Sequence, residues 1–274
     1  MQYQTTVAQE VTYTGIGLHS GLEVNLALKP APQDTGILFV RTDLPGAPSV
    51  QASARQVTNT LRATTLEAGL AKVFTIEHLM AAFAGLGVDN CIVEMDSPEP
   101  PVADGSALTF VRLIEQAGLQ ELDAPCNITI VKTAQSVHVE DKFIAIIPYD
   151  GFRITFTSLN PHPLLGTQFG DYEITPELFV KEIAPARTIG FMHEVEALKA
   201  KGLARGGTLE NVVVYDDKEV LTPLRFHDEL VRHKILDVLG DIALAGRVKG
   251  HIIAVKSGHA LNAVLAKKIL EEQA

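Results

Sequence analysis

The sequence predicts an α+β fold made of two copies of one unit, each a mostly antiparallel sheet with helices on one face. Three observations carry that prediction. The order strands, helix, Gly turn, strand occurs twice along 274 residues. The hydrophobic period switches from alternation to helical spacing at corresponding places in the two halves. The run EHLMAAFAGLGVDNCIVEM (77–95) parallels RHKILDVLGDIALAGRVKGHIIAV (232–255), each a His-bearing helix, then Gly, then an apolar strand. Two such units bury their apolar helical faces against each other, which brings His78 and His233 to one interface.

In the first half, residues 5–55 read as strands and turns. Thr6–Thr12 alternates, Gly15-Ile16-Gly17 and Ser20-Gly21 punctuate, and Leu22–Leu28 alternates again before Pro30 and Pro32. Ile37–Arg41 is a short apolar strand. Thr75–Gly85 has helical spacing, with Ile76, Leu79, Met80 and Phe83 on one face. Gly85 and Gly87 precede the strand Asn90–Met95, which Pro98, Pro100 and Pro101 end. Leu108–Ala117 is a second helix with Phe110, Val111 and Ile114 inward, and Leu122–Pro125 reads as a linker. The units are therefore set at 1–124 and 125–274.

From Asn127 the pattern restarts. Ile128–Val131, Val137–Val139, Phe143–Pro148 and Phe152–Phe156 read as a second meander. An additional segment from Thr188 to Asp216 holds Val195, Leu198 and Leu203 in a short helix, then Gly202, Gly206 and Gly207; inserts of this length often carry function. Val231–Gly246 is the second central helix, with Ile235, Val238, Leu239, Ile242 and Ala245 inward and a Gly just past its end. Gly250–Val255 is its strand. Asn262–Glu271 is the terminal helix, started by Asn262.

Composition narrows the function. No apolar run approaches the roughly 20 residues that span a bilayer. Met1-Gln2-Tyr3-Gln4-Thr5-Thr6 has no basic segment leading into an apolar one, so secretion is not expected. Cys91 and Cys126 form no Cys-x-x-Cys pair and suit a reducing cytoplasm. A formal charge of −10 argues against nucleic acid or an anionic membrane as the main partner.

Four polar clusters carry chemistry: Glu77-His78, His233-x-x-x-Asp237-x-x-x-Asp241, Ser257-Gly258-His259 and Ala186-Arg187-Thr188. His233, Asp237 and Asp241 stand at i, i+4 and i+8, on one slowly drifting helix face. An imidazole and a carboxylate one turn apart suit a single Zn²⁺, and a third residue can orient the first. Two His and one Asp leave zinc an open position, the arrangement of a hydrolytic site. The bland alternative, a solvated polar helix face, is the commoner meaning of a lone His-x-x-x-Asp; the neighbouring clusters weigh against it.

With these motifs in hand, TIEHLMAAFAGLGVDN, PPVADGSA, VRHKILDVLGDI, KSGHALN, GIGLHSG and GLARGGTLENVVV together resemble the UDP-3-O-acyl-N-acetylglucosamine deacetylases of Gram-negative bacteria, in order and over nearly the whole chain. The resemblance implies a layered β-α-α-β sandwich with a small insert in each domain. It also implies zinc-dependent hydrolysis of an N-acetyl amide in the committed step of lipid A synthesis. Carried over by motif, His78, His233 and Asp237 bind one zinc per chain. Glu77 is the general base, His259 protonates the leaving nitrogen with Asp241 orienting it, and Thr188 helps bind the oxyanion. Lys234, Lys256 and Lys142 stand near the phosphates or the reacting centre. Leu61, Val195, Ala204, Gly207, Thr208 and Val212 match the substrate-binding and acyl-chain region. The implied partner is UDP-3-O-acyl-GlcNAc alone, bound by a cytoplasmic monomer without nucleic acid or stable membrane insertion.

The chain departs from its relatives in places. Ile189 follows Ala-Arg-Thr where many have Phe, and Leu159 precedes Asn160-Pro161-His162-Pro163 where Phe is frequent, which passes uracil stacking to Phe191. Arg62 and Ala63 also stand where some relatives are apolar or carry Cys. Two rivals remain on sequence grounds: a zinc amidase or peptidase with another substrate, and a non-catalytic nucleotide-sugar or lipid binder. A binding module has no need of Glu77, His78, His233, Asp237 and His259 together. The short C-terminus leads us to expect no fused dehydratase domain.

Overall fold

The computed structural model describes residues 2–272; Met1, Gln273 and Ala274, which the sequence reading places at the outer ends of the two units, lie outside the described residues. The first half contains β1 (Tyr3–Val7), β2 (Val11–Ile16), β3 (Glu23–Lys29), β4 (Ile37–Arg41) and β5 (Ser49–Gln51). It continues through β6 (Val57–Asn59), β7 (Thr65–Ala68), β8 (Ala71–Phe74), α1 (Glu77–Leu86), β9 (Cys91–Met95), α2 (Leu108–Ala117) and β10 (Leu119–Pro125). The second half opens with β11 (Ile128–Ile130), β12 (Gln135–Val139), β13 (Lys142–Ile147), β14 (Phe152–Leu159), β15 (Thr167–Glu173) and α3 (Pro176–Leu178). It closes with β16 (Ile189–Phe191), α4 (Met192–Ala200), β17 (Val213–Tyr215), α5 (Glu229–Ile242), β18 (Arg247–Val255) and α6 (His259–Glu272).

The two main sheets share one topology, as the internal repeat requires. Strand order is β2-β3-β9-β4-β5 in the first and β12-β13-β18-β14-β15 in the second, where β11 also pairs with β18. In each, the strand that follows the central helix lies in the middle, antiparallel to one neighbour (β3 or β13) and parallel to the other (β4 or β14). Inward residues meet in register: Leu28 faces Val93 and Phe39 faces Val93 in the first sheet, and Ile146 and Ile154 face Ile252 in the second. All of these are fully buried. The inner faces of both sheets, α1 and α5 form one continuous apolar core.

The helices meet closely where Gly240 of α5 lies against the start of α1. A Cβ on Gly240 would stand 2.8 Å from the Glu77 carbonyl carbon and closer still to its oxygen, so only glycine lets the two backbones approach this far. That approach sets Glu77 and His78 beside the His233 helix. Two small sheets flank the crossing: β6-β7-β8 from the first half and the parallel pair β16-β17, with α4 between them in sequence, from the second.

The structure corrects several details of the sequence reading, among them Leu203, which lies beyond the insert's helix α4 (Met192–Ala200). Thr6–Thr12 is not one strand: a bend at Ala8–Gln9 separates β1 from β2, and each pairs in a different sheet. Leu122–Pro125 is not a linker but the end of β10, antiparallel to β1 with Thr5 facing Glu121 and Tyr3 facing Pro125. Its exposed, charged residues look like a linker because the strand covers an edge and little of it is buried. The terminal helix begins at His259, not Asn262.

Candidate active site and metal centre

The N-terminal turn of α1, one face of α5 and the first residue of α6 converge on a cleft of about 240 Å³. Its walls include Leu18, His19, Arg62, Thr188, Ala204 and Val212. α1 starts without a side-chain cap. Just before it, Thr75 has φ +57, a conformation β-branched residues rarely adopt, and its Oγ1 donates to Glu99 Oε1 at 2.8 Å. Backbone strain of this type concentrates at functional sites. The fully buried Glu99 also accepts from the backbone N–H of His19 (2.9 Å to Oε1) and Ser20 (2.7 Å to Oε2), fixing the loop that carries Leu18 and His19. Gly17 leaves room for that carboxylate: a Cβ there would stand 3.0 Å from Glu99 Cδ and closer to its oxygen.

On the floor of the cleft, one ligand atom each from His78, His233 and Asp237 lie within 4.8 Å of one another. The two rings stand edge to face, centroids 4.9 Å apart. Asp237 Oδ1 is 3.8 Å from His78 Nε2 and 3.5 Å from His233 Nε2. Asp237 Oδ2 accepts from Lys234 Nζ at 2.8 Å, while Oδ1 is buried with no hydrogen-bond partner among the described residues. His233 Nδ1 lies 3.1 Å from the Ala186 carbonyl oxygen, and donating to it leaves the Nε2 lone pair facing Asp237. An orphaned buried carboxylate oxygen beside two imidazole nitrogens fits a divalent cation in kind and position.

The electrostatics agree. Burial, with His233 adding, pushes His78 down to about 3, and burial lowers His233 as well, so both rings are neutral and hold a free lone pair. Burial opposes ionisation of Asp237, yet the charges of Lys234 and His259 hold its carboxyl below the usual carboxylate range. Burial also opposes the Lys234 ammonium, and Asp237 outweighs it and raises that group.

Beside this group stand two titratable side chains that face each other, Glu77 Oε1 and His259 Nε2, 3.9 Å apart. Burial pushes Glu77 up to about 7 against the opposing pull of His259. Burial works against the His259 charge, but the Asp241 and Glu77 carboxylates prevail and raise it to about 10. His259 Nδ1 lies 2.8 Å from Asp241 Oδ2, so Asp241 turns to His259 although it follows His233 and Asp237 along α5. The site thus sets a carboxylate of raised pKa against an imidazolium of raised pKa, a pairing suited to general base and general acid work.

Thr188 lines the cleft, and its N–H donates to Gly105 O at 2.8 Å. Lys234, Ala204 and Val212 line it too. Gly207 sits next to that wall, where a Cβ would make ordinary contact with Leu18 (3.7 Å) and Val212 (3.8 Å). Phe191 packs outside it with His162, ring centroids 5.5 Å apart, and with His193 and Tyr215. Leu61, Val195, Thr208, Lys142 and Lys256 are not among the lining residues; Leu61 is 71 % exposed and Lys256 pairs with Asp141.

Sequence reasoning missed several supports. Asn262 does not start a helix: it is 1 % exposed, its Nδ2 donates to Asp241 Oδ2 at 2.9 Å, and its Oδ1 accepts from Ser257 Oγ at 2.6 Å. Arg187 makes a buried ion pair with Glu229 at 2.8 Å that anchors Ala186 and Thr188 to the start of α5. Glu99 and Thr64 were also missed, because their partners lie far away in sequence and leave no periodic trace.

Residues 4–271 match the model of the UDP-3-O-acyl N-acetylglycosamine deacetylase family. Among similar proteins, the UDP-3-O-acyl-N-acetylglucosamine deacetylase of Myxococcus xanthus is 48 % identical over 272 residues, 98 % of this chain and 87 % of the relative. Those of Hahella chejuensis (44 % over 279 residues; 98 % and 91 %) and Shewanella violacea (45 % over 280 residues; 100 % and 91 %) carry the same name.

Proposed function

The chain belongs to the UDP-3-O-acyl N-acetylglycosamine deacetylase family, and from that premise we propose how its residues divide the work. The protein hydrolyses the N-acetyl amide of UDP-3-O-acyl-N-acetylglucosamine, releasing acetate and UDP-3-O-acyl-glucosamine in the committed step of lipid A biosynthesis. The observation that carries the reading is the orphaned Asp237 Oδ1 between two neutral imidazoles, beside the facing pair Glu77 and His259.

His78, His233 and Asp237 would hold one zinc ion, which when bound supplies Lewis acidity that polarises an amide carbonyl and acidifies water. Glu77 Oε1 takes the proton of the attacking water. His259 Nε2 gives a proton to the leaving nitrogen, so that the C–N bond breaks to a neutral amine and acetate is released. Asp241 holds His259 in place through Nδ1. Thr188 donates to the oxyanion, and Lys234 keeps Asp237 ionised and adds positive potential there; fixed donors of this kind are worth several kcal/mol.

Leu18, Leu198, Ala204 and Val212, with Gly207 behind them, support an apolar passage for the 3-O-acyl chain, to which Leu61, Val195 and Thr208 would contribute further out. Phe191 with His162 offers a ring surface for uracil, and Lys142 and Lys256 would meet the phosphates on the approach. The reading includes a division into domains 1–124 and 125–274 and a monomer working in the cytoplasm. Among the described residues no helix is long and apolar enough to cross a membrane. Acetate release from UDP-3-O-acyl-GlcNAc tests the function: turnover that a chelator abolishes and zinc restores supports it, and turnover indifferent to chelation overturns the metal assignment.

A further inference from the structure

Thr64 sits in the turn before β7, in the small sheet of the first half, and is fully buried. Its Oγ1 donates to Asp241 Oδ1 at 2.6 Å, a bond between residues 177 apart in sequence. Its backbone N–H donates to Glu77 Oε2 at 3.1 Å. One residue therefore touches both carboxylates of the proton-transfer machinery, one on α1 and one on α5.

The bonds on each carboxylate leave little freedom. Asp241 Oδ2 accepts from Asn262 Nδ2 at 2.9 Å and lies 2.8 Å from His259 Nδ1, so Thr64 supplies the remaining bond on Oδ1. Glu77 Oε2 is held by the Thr64 amide, which turns Oε1 toward His259 Nε2. We propose that Thr64 is a positioning residue of the reaction, fixing the general base and the acid's orienting carboxylate in one frame and so setting the gap between Glu77 Oε1 and His259 Nε2. The inference rests on the deacetylase reading above and deepens it: the segment leading into β7 acts as a clamp on the proton-transfer pair.

The hydroxyl can be removed without changing shape. In Thr64→Val, Asp241 Oδ1 is left buried without its donor; hydrogen bonds to charged groups of this kind correspond to a kcat loss of roughly 10- to 100-fold. KM and zinc content should stay at wild-type values, because no ligand or cleft-lining atom changes. Thr64→Ser keeps the hydroxyl and should restore most of the turnover, whereas Thr64→Ala should not. In an Asp241→Ala background, adding Thr64→Val should cost nothing further in kcat, and the melting temperature of the zinc-free proteins should show the same non-additivity. Wild-type kcat in Thr64→Val, equal rates for the Ser and Ala variants, or a Thr64→Val protein that loses zinc would overturn the proposal. Should Thr64→Val not fold, the Ser and Ala comparison decides alone. Wild-type protein that releases no acetate would overturn the deacetylase reading itself, an outcome separate from any difference among the Thr64 variants.

Discussion

At the scale of single residues, the site raises the pKa of both members of the facing pair. Burial raises Glu77 to about 7, and the carboxylates around it raise His259 to about 10. The base must be unprotonated and the acid protonated, so kcat/KM should be bell-shaped in pH. Activity is lost on the acid side as pH falls through the Glu77 limb, which lies at or below about 7 because a bound cation further favours the carboxylate. It is lost on the alkaline side as pH rises through the His259 limb, which lies at or below about 10 because the same cation disfavours the imidazolium. The two groups face each other, so each limb belongs in part to the pair. His259→Gln should remove the alkaline limb, and Asp241→Asn should move it to lower pH by taking away the charge that raises His259. A pH–rate profile in which His259→Gln leaves the alkaline limb in place would take His259 out of the acid role.

At the scale of elements, the site depends on how closely α1 and α5 approach. Gly240→Ala places a Cβ against the Glu77 carbonyl, and the helices must part to admit it. Overpacking of this kind costs about 1–3 kcal/mol, and here it also displaces Glu77 and His78. Denaturant unfolding should show that loss together with reduced turnover. Gly258→Ala, which meets nothing within 4 Å, should change stability by about 0.5 kcal/mol or less. Both central helices were legible in the sequence because α1 and α5 repeat their apolar residues every three or four positions. The i, i+4 spacing of His233 and Asp237 likewise placed them on one face. β10 was not legible, since an edge strand with exposed Gln120, Glu121 and Asp123 has the composition of a linker. Thr64, Glu99 and Asn262 were not legible either: each acts through a partner brought near by tertiary folding, and a buried Thr or Asn shows no period.

At the scale of the whole molecule, duplication explains why the site exists where it does. Each unit alone buries one face of a sheet and presents a helix with a polar end; packing the two copies brings His78 from one and His233 with Asp237 from the other within 4.8 Å. The three-residue group draws on both copies, and α1 and α5 contribute both to the core and to the cleft. The sequence repeat carried this much, and the family resemblance carried the roles. The division between ligands and proton-transfer groups is the central claim, and zinc content after exhaustive dialysis of folded variants tests it most directly. His78→Ala, His233→Ala and Asp237→Ala should each lose zinc together with activity, because each deletes a metal bond. Glu77→Ala and His259→Ala should keep about one zinc while single-turnover rates fall roughly 10²–10⁴-fold. A His259→Ala protein that emerges zinc-free, or an Asp237→Ala protein that retains stoichiometric zinc, would contradict the account.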